Sequence, residues 1–283
     1  MRIAVLILAF RYPRGLRALA RYFSGPDHRV FVHVDAKVGI EPFIAAAGDG
    51  VSFVADRVTV FWRGWTMVEA TMKLILAARA EGPFDQFVLL SDDALPLLDV
   101  GGFRAALAAA PHYLDVGSNR ARAERYDKFF MYDSDATQTR YVPSRAVSDD
   151  AMARMARMIA LRLRGKKPVE RHFQGSQWWG LPAASIETLV ARWHDDPWLR
   201  ESFEFSDAPD ESYFQEILGP THARGSRKLM AVDWKAPTPP RLYVQAAELA
   251  ALTPTTELFV RKIDFDDAEL DVWLERIGAS VQG

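Results

Sequence analysis

The sequence predicts an α/β fold built on a mostly parallel, Rossmann-like central sheet flanked by helices. Strand and helix patterns alternate over roughly the first 110 residues. The strands are continuous apolar runs, which is typical of strands buried on both faces. The chain has 283 residues, of which 49% are hydrophobic. This composition is enough for a large core.

Each element of the first half follows from a local pattern. The strand predicted at 3–10 is apolar and rich in branched residues. The helix at 13–22 places Leu16 and Ala20 at helical spacing. Period and composition both favour a helix at 67–80. The other elements predicted here are strands at 30–35, 51–54, 58–61 and 87–90 and a helix at 103–110.

The second half is less regular. A helix at 152–167 carries six basic residues, and Pro209 opens a helix with Asp210 and Glu211 in its first turn. The other predicted elements are a strand at 175–180 and helices at 183–192 and 267–277. No linker forces a split, so a single domain over 1–283 is expected.

Composition excludes several classes of protein. The chain has no cysteine and a net charge of −2, which argues against a disulfide scaffold and against a broad nucleic-acid binder. The apolar run at 3–10 is far shorter than the roughly twenty residues that cross a bilayer, and it begins too near Met1 for a secretory signal. We therefore expect a cytoplasmic protein without a membrane span.

Polar residues stand at the ends of the predicted strands or directly after them, and they are the first candidates for a site. Ligands of such sheets bind beyond the carboxyl ends of the strands, and the polar residues at those ends are His33, Asp35, Ser91, Asp92 and Asp93. The glycine-rich phosphate loops, the zinc-hydrolase motif and the lipase motif are all absent from the sequence.

Several segments in order resemble the core-2/I-branching N-acetylglucosaminyltransferases and the peptide xylosyltransferases. The segments are IAVLILAF, VFVHVDAK, WRGWTMVEATMKLI, FDQFVLLSDDALPL, GSQWWGLPAASIETLV, PDESYFQEIL, LMAVDWKAPTPP and LFVRKIDFDD. The resemblance implies a GT-A fold and metal-independent, inverting transfer of GlcNAc or xylose from a UDP-sugar to an acceptor hydroxyl. It also implies a nucleotide-sugar half at 1–115 and an acceptor-binding, catalytic half at 116–283.

The resemblance assigns the general base to Glu211 of the Pro-Asp-Glu motif. A position near a helix N-terminus favours the charged carboxylate, as a base requires. The alternative is that this residue only belongs to the start of a helix. Lys262 matches the family lysine that stabilises the leaving diphosphate, Arg241 is the best match for the family arginine, and Arg261 is a further candidate. Surface salt bridges are the alternative for these cations.

The nucleotide is expected to contact His33, Asp35, Arg63 and Trp65, although His33 and Trp65 are equally compatible with a place in the core. The acceptor is expected to contact aromatic and polar side chains. These candidates are Asp92, Asp93, Glu124, Lys128, Trp178 and Trp234.

Asp92 and Asp93 stand where the family usually has Gly-Gln, and Ala94 replaces its Asp. Two adjacent carboxylates could hold Mg²⁺ or Mn²⁺, which gives an alternative metal-dependent glycosyltransferase. A metal-free site is preferred because adjacent residues of an extended segment point in opposite directions. A non-catalytic glycan-binding protein on the same fold is a third hypothesis.

The helix at 152–167 bears on location. A basic amphipathic helix can lie on an anionic membrane, so peripheral contact with the inner face of a bacterial membrane is one hypothesis, with a glycan or lipid-linked saccharide as acceptor. The alternative is an ordinary solvated helix whose apolar side packs in the core.

Overall fold

The computed structural model describes residues 1–118, 125, 128–133, 149–163, 173–222, 225–252 and 255–278. In the first half the elements are β1 (Ile3–Ala9), α1 (Pro13–Tyr22), β2 (His28–Val34), α2 (Glu41–Ala47), β3 (Val51–Phe53), α3 (Thr66–Glu81), β4 (Gln86–Ser91), β5 (Leu95–Pro96), α4 (Val100–Ala109) and β6 (Gly117–Ser118). In the second half they are α5 (Asp149–Leu163), β7 (Phe173–Gln174), β8 (Gly180–Pro182), α6 (Ala183–Asp195), α7 (Pro197–Phe203), a 3₁₀ turn (Pro209–Glu211), α8 (Tyr213–His222), β9 (Met230–Val232), α9 (Ala246–Ala250), β10 (Phe259–Arg261) and α10 (Asp267–Arg276).

The central sheet has five strands in the order β3-β2-β1-β4-β8. The first four run parallel, with Ile3 opposite both His28 and Gln86, and β8 is antiparallel to β4. Every residue of β4 is buried, which explains its unbroken apolar pattern. The predicted fold class is therefore confirmed: a mostly parallel, Rossmann-like sheet flanked by helices.

A second sheet brings the end of the chain to the middle of the fold. It has the order β5-β10-β9, and the backbone N–H of Ile263 donates to the carbonyl oxygen of Asp93 at 3.0 Å. This pairing carries the residues after β10 to the carboxyl end of β4. It could not be read from a local pattern, because the paired segments are far apart in sequence.

Two predicted strands are wrong. The segment 58–61 is irregular, and its N–H groups at Val58 and Val60 donate to the side chains of His33 and Asp35 instead of to a strand. The segment 175–180 is irregular up to Gly180, with a bend at Gln177. At its start, Gly175 lies so close to Asp115 that an added Cβ would stand 1.7 Å from the Asp115 carbonyl oxygen. Among the helices of the described residues, none has the length and apolarity needed to cross a bilayer.

Candidate active site

The candidate site lies at the crevice between the carboxyl ends of β1 and β4. From β1 the chain builds the sheet outward through β2 and β3, whereas β4 lies on the other side of β1. The strand order therefore reverses between β1 and β4, and ligands of open α/β sheets bind at such a switch point. Phe10 and Arg11 follow β1 at this crevice, and Asp92 and Asp93 follow β4.

Asp92 binds the turn between β1 and α1, the position where Rossmann dinucleotide-binding folds hold a pyrophosphate. Its Oδ2 accepts hydrogen bonds from the backbone N–H groups of Phe10, Arg11 and Tyr12 at 2.8–3.0 Å. The side chain is fully buried, and this burial raises the pKa of the Asp92 carboxyl, although the N–H donors favour its charged form. With these backbone donors engaged, an anion in the crevice has to be bound by other groups.

Asp93 binds two arginines from distant parts of the chain. Both of its oxygens accept from Arg261, at 3.0 and 3.2 Å, and its Oδ2 also accepts from Arg11 at 3.0 Å. Burial alone would raise the pKa of Asp93, but the Arg261 guanidinium and donors from Ser91 and Arg11 hold it below its ordinary value. Asp93 thus fixes two guanidinium groups at the crevice.

Lys262 adds a third cation to this cluster. Burial and repulsion from Arg261 lower the pKa of its amine, with Asp93 opposing and Arg11 adding to the shift. Within the part of the chain that the structure describes, its amine has no hydrogen bond or ion pair. The cluster of Arg11, Arg261, Lys262 and Asp93 therefore has one negative charge for three positive ones. A half-buried charge excess of this kind favours a bound anion.

Glu211 belongs to a second charged group, on the 3₁₀ turn before α8. Arg125 donates to its Oε2 at 2.7 Å, and 38% of the side chain remains exposed. Asp207 accepts a two-pronged pair of hydrogen bonds from Arg63 and lies 3.6 Å from Arg125. Asp207 therefore connects Arg63 to the arginine that holds Glu211.

The backbone at this second group is unusual. Arg63 has a φ of 67° and Ala208 a φ of 50°, the two non-glycine residues with left-handed φ among those described. They are joined by a hydrogen bond of 3.1 Å from the N–H of Ala208 to the carbonyl of Arg63. Such conformations persist where the surroundings impose them, and they cluster at functional sites.

A short segment connects the two charged groups. The N–H of Gly175 donates to the carbonyl of Glu211 at 2.8 Å, and the guanidinium of Arg261 lies 4.6 Å from the centre of the Trp178 ring. The backbone of Glu211 and the Trp178 ring beneath Arg261 are therefore connected through the four-residue segment 175–178.

Two of the candidate nucleotide-binding residues, His33 and Asp35, bind the loop that contains Val58 and Val60. His33 accepts from the N–H of Val58 at 2.8 Å through Nε2, and burial lowers its pKa to about 4. Asp35 accepts from the N–H groups of Lys37 and Val60 at 3.0 and 3.1 Å. Both side chains are buried, and their contact with a nucleotide stays a prediction.

The tryptophan candidates separate clearly by burial. Trp65 is 6% exposed and stacks on Trp193 with ring centroids 6.0 Å apart, so its ring packs in the core. Trp178 is equally buried but lies beneath Arg261, whereas Trp234 is 66% exposed and available to a ligand. Of the two interpretations of Trp65, the structure supports the core.

Arg241 and Lys262 are brought together by their backbones. The N–H of Lys262 donates to the carbonyl of Arg241 at 3.3 Å, although the Arg241 guanidinium pairs with Glu248 at 2.7 Å.

Of the acceptor candidates, Lys128 is exposed and Glu124 lies outside the described residues. Sequence reasoning left out Arg11, although a residue directly after a buried first strand is a candidate by position.

The carboxylates of Asp92 and Asp93 do not fit a divalent cation. Asp93 already binds two guanidinium groups, which would repel a metal, and Asp92 has one oxygen engaged by three N–H groups. No group of three His, Asp or Glu side chains that could hold a metal occurs in the described part of the chain.

The chain was compared with known proteins in three ways. One solved structure with partial similarity is a putative glucose-1-phosphate thymidylyltransferase from Bacillus anthracis in complex with a sucrose, with a TM-score of 0.39 and 12% identity over 80% of this chain and 85% of that chain. Another is apo mouse xyloside xylosyltransferase 1, with a TM-score of 0.33 and 12% identity over 83% of this chain and 89% of that chain. No curated protein matches. The profile of the Core-2/I-Branching enzyme family matches residues 3–255. Because this match covers most of the chain, the chain belongs to the Core-2/I-Branching enzyme family of glycosyltransferases.

Proposed function

We propose that the protein is an inverting glycosyltransferase that moves GlcNAc or xylose from a UDP-sugar to a hydroxyl of a glycan or lipid-linked saccharide. The observation that carries the proposal is the excess positive charge of Arg11, Arg261 and Lys262 over Asp93 at the switch point of the sheet. A nucleoside diphosphate supplies the negative charge that this cluster lacks.

The proposed reaction uses Glu211 as general base. Its carboxylate takes the proton of the acceptor hydroxyl as that oxygen attacks the anomeric carbon from the face opposite the diphosphate. The bond from the anomeric carbon to the diphosphate breaks, and its electron pair goes to the departing phosphate oxygen. The three cations stabilise the charge that develops there, and the sugar is transferred with inverted configuration.

The proposed reaction needs no metal ion. The two arginines on Asp93, together with Lys262, supply the positive charge that a divalent cation would otherwise bring to the leaving group. Arg125 orients Glu211 through one oxygen, and the exposed part of the side chain gives an acceptor hydroxyl access.

The test is turnover with a panel of UDP- and GDP-sugars, with and without EDTA, in the presence of lipid-linked acceptors. We expect activity with a UDP-sugar that persists in EDTA and falls at least about a hundredfold in Glu211→Gln, because general bases contribute that much or more. Glu187→Gln is the control, since Glu187 is exposed and pairs with Arg79 on the surface.

Three results would contradict the proposal. Full activity of Glu211→Gln would show that another group is the base. Loss of activity in EDTA would favour the metal-dependent alternative, and absence of turnover with every donor would favour a glycan-binding protein.

A further inference from the structure

Helix α5 turns charged as well as apolar side chains toward the body of the protein. Arg154 donates to Asp133 at 3.1 Å, and Arg157 donates to Glu204 at 2.7 Å, so both arginines face the body of the protein. Surface helices of globular proteins usually turn their apolar side inward instead. Leu161 also faces inward, with 2% of its side chain exposed. The expectation that the apolar side of this helix packs in the core therefore holds for Leu161 but not for the apolar residues on the outward face.

The outward face of α5 carries an apolar stripe, which we define as Met152, Met155, Ile159 and Leu163. Their exposed fractions are 54%, 36%, 50% and 82%. The spacing of three, four and four residues places them on one face of the helix. The stripe is about 16 Å long at 1.5 Å per residue, whereas isolated exposed apolar residues are normal on a protein surface.

The segment around the stripe concentrates positive charge. Residues 151–169 contain six Lys and Arg and no Asp or Glu, which leaves 29 Lys and Arg against 37 Asp and Glu in the rest of the chain. Arg154 and Arg157 are paired within the protein, and the other four basic residues follow at positions 162–167. Residues 151–169 are therefore positively charged, whereas the rest of the chain, which includes Asp149 and Asp150 at the start of α5, has a net negative charge.

We propose that the apolar stripe of α5 docks on an anionic lipid surface. An amphipathic helix with flanking basic residues lies in the plane of the interface, with its apolar residues among the acyl chains and its cations at the headgroups. A second copy of the chain is a poor occupant, because a two-fold interface sets the same patch against itself and would oppose two basic segments.

The test measures binding of the full chain to vesicles by co-sedimentation. Vesicles of phosphatidylcholine and phosphatidylglycerol in equal parts are compared with vesicles of phosphatidylcholine alone, at low and high salt. The stripe variant is Ile159→Ser with Leu163→Ser. The control variant is Ile44→Ser with Val272→Ser, which removes two other exposed apolar side chains, 50% and 54% exposed, from α2 and α10.

We expect wild type and control to bind the anionic vesicles, more weakly at high salt, and the stripe variant to lose at least about tenfold in partition coefficient. The proposal is overturned if wild type does not bind, if the stripe variant binds like the control, or if neutral vesicles bind equally well. A concentration-dependent dimer that the stripe variant abolishes would assign the stripe to a second copy. No sugar donor is involved, so failure here is distinct from failure of the proposed transferase reaction.

Discussion

Replacing Asp93 with Asn tests whether the cationic cluster is held together by one buried charge. Asp93 is completely buried and accepts from Arg261 through both oxygens, from Arg11 and from Ser91. The variant keeps the shape of the side chain but leaves Arg11, Arg261 and Lys262 without a counter-charge. Removal of one partner of a buried ion pair lowers the free energy of unfolding by about 3–5 kcal/mol. For a chain of this length that corresponds to a fall in Tm of roughly 5–8 °C.

The assay is thermal or urea unfolding of Asp93→Asn beside Glu187→Gln. Glu187 also receives a two-pronged arginine contact, at 2.9 and 2.6 Å from Arg79, but its side chain is 59% exposed. An exposed pair contributes at most about 1 kcal/mol. We also expect UDP to restore part of the stability of Asp93→Asn, since a diphosphate replaces the missing charge. Equal shifts for the two variants would refute the idea that Asp93 is the essential counter-ion.

Three further predictions concern the structure around the site. Burial, followed by repulsion from Glu211, raises the pKa of Asp210 to about 7, so its contribution to stability is present below pH ~4 and is lost as pH rises through 7. In urea unfolding, the free energy of unfolding of Asp210→Asn should rise relative to that of wild type by about 1.4 kcal/mol for each pH unit between 4 and 7. The same pH dependence of the unfolding free energy in both proteins would contradict this. Gly15→Ala places its Cβ 2.1 Å from the backbone oxygen of Asp92, whereas nothing lies within 4 Å of the Cβ in Gly225→Ala. Gly15→Ala should therefore lower the Tm by several degrees, and Gly225→Ala should not. Trp65→Ala should cost about 3–5 kcal/mol of unfolding free energy, whereas Trp234→Ala should leave stability nearly unchanged and weaken acceptor binding instead.

Much of the fold could be predicted because its signals are local. A strand buried on both faces must be apolar throughout, so β1 and β4 were predicted to within a few residues. The predicted bounds of α1 agree with the structure, since Pro13 starts it and its apolar spacing defines it. The segments 58–61 and 175–180 have strand-like composition, but neither forms the predicted strand. The first donates its N–H groups to side chains, and the second approaches the Asp115 backbone closely at Gly175.

The residue types of the site could be read from the sequence, but not their partners. The resemblance singled out Glu211 and Lys262, and the position of Asp92 and Asp93 directly after a predicted strand made them candidates.

Only the tertiary structure decided that Asp92 binds backbone N–H groups while Asp93 binds arginines. It also decided that Arg125 holds Glu211 and that α5 turns its apolar stripe outward. The physical reason is that the sign and type of a charge are local properties, whereas its partner depends on which distant segments the sheets bring together.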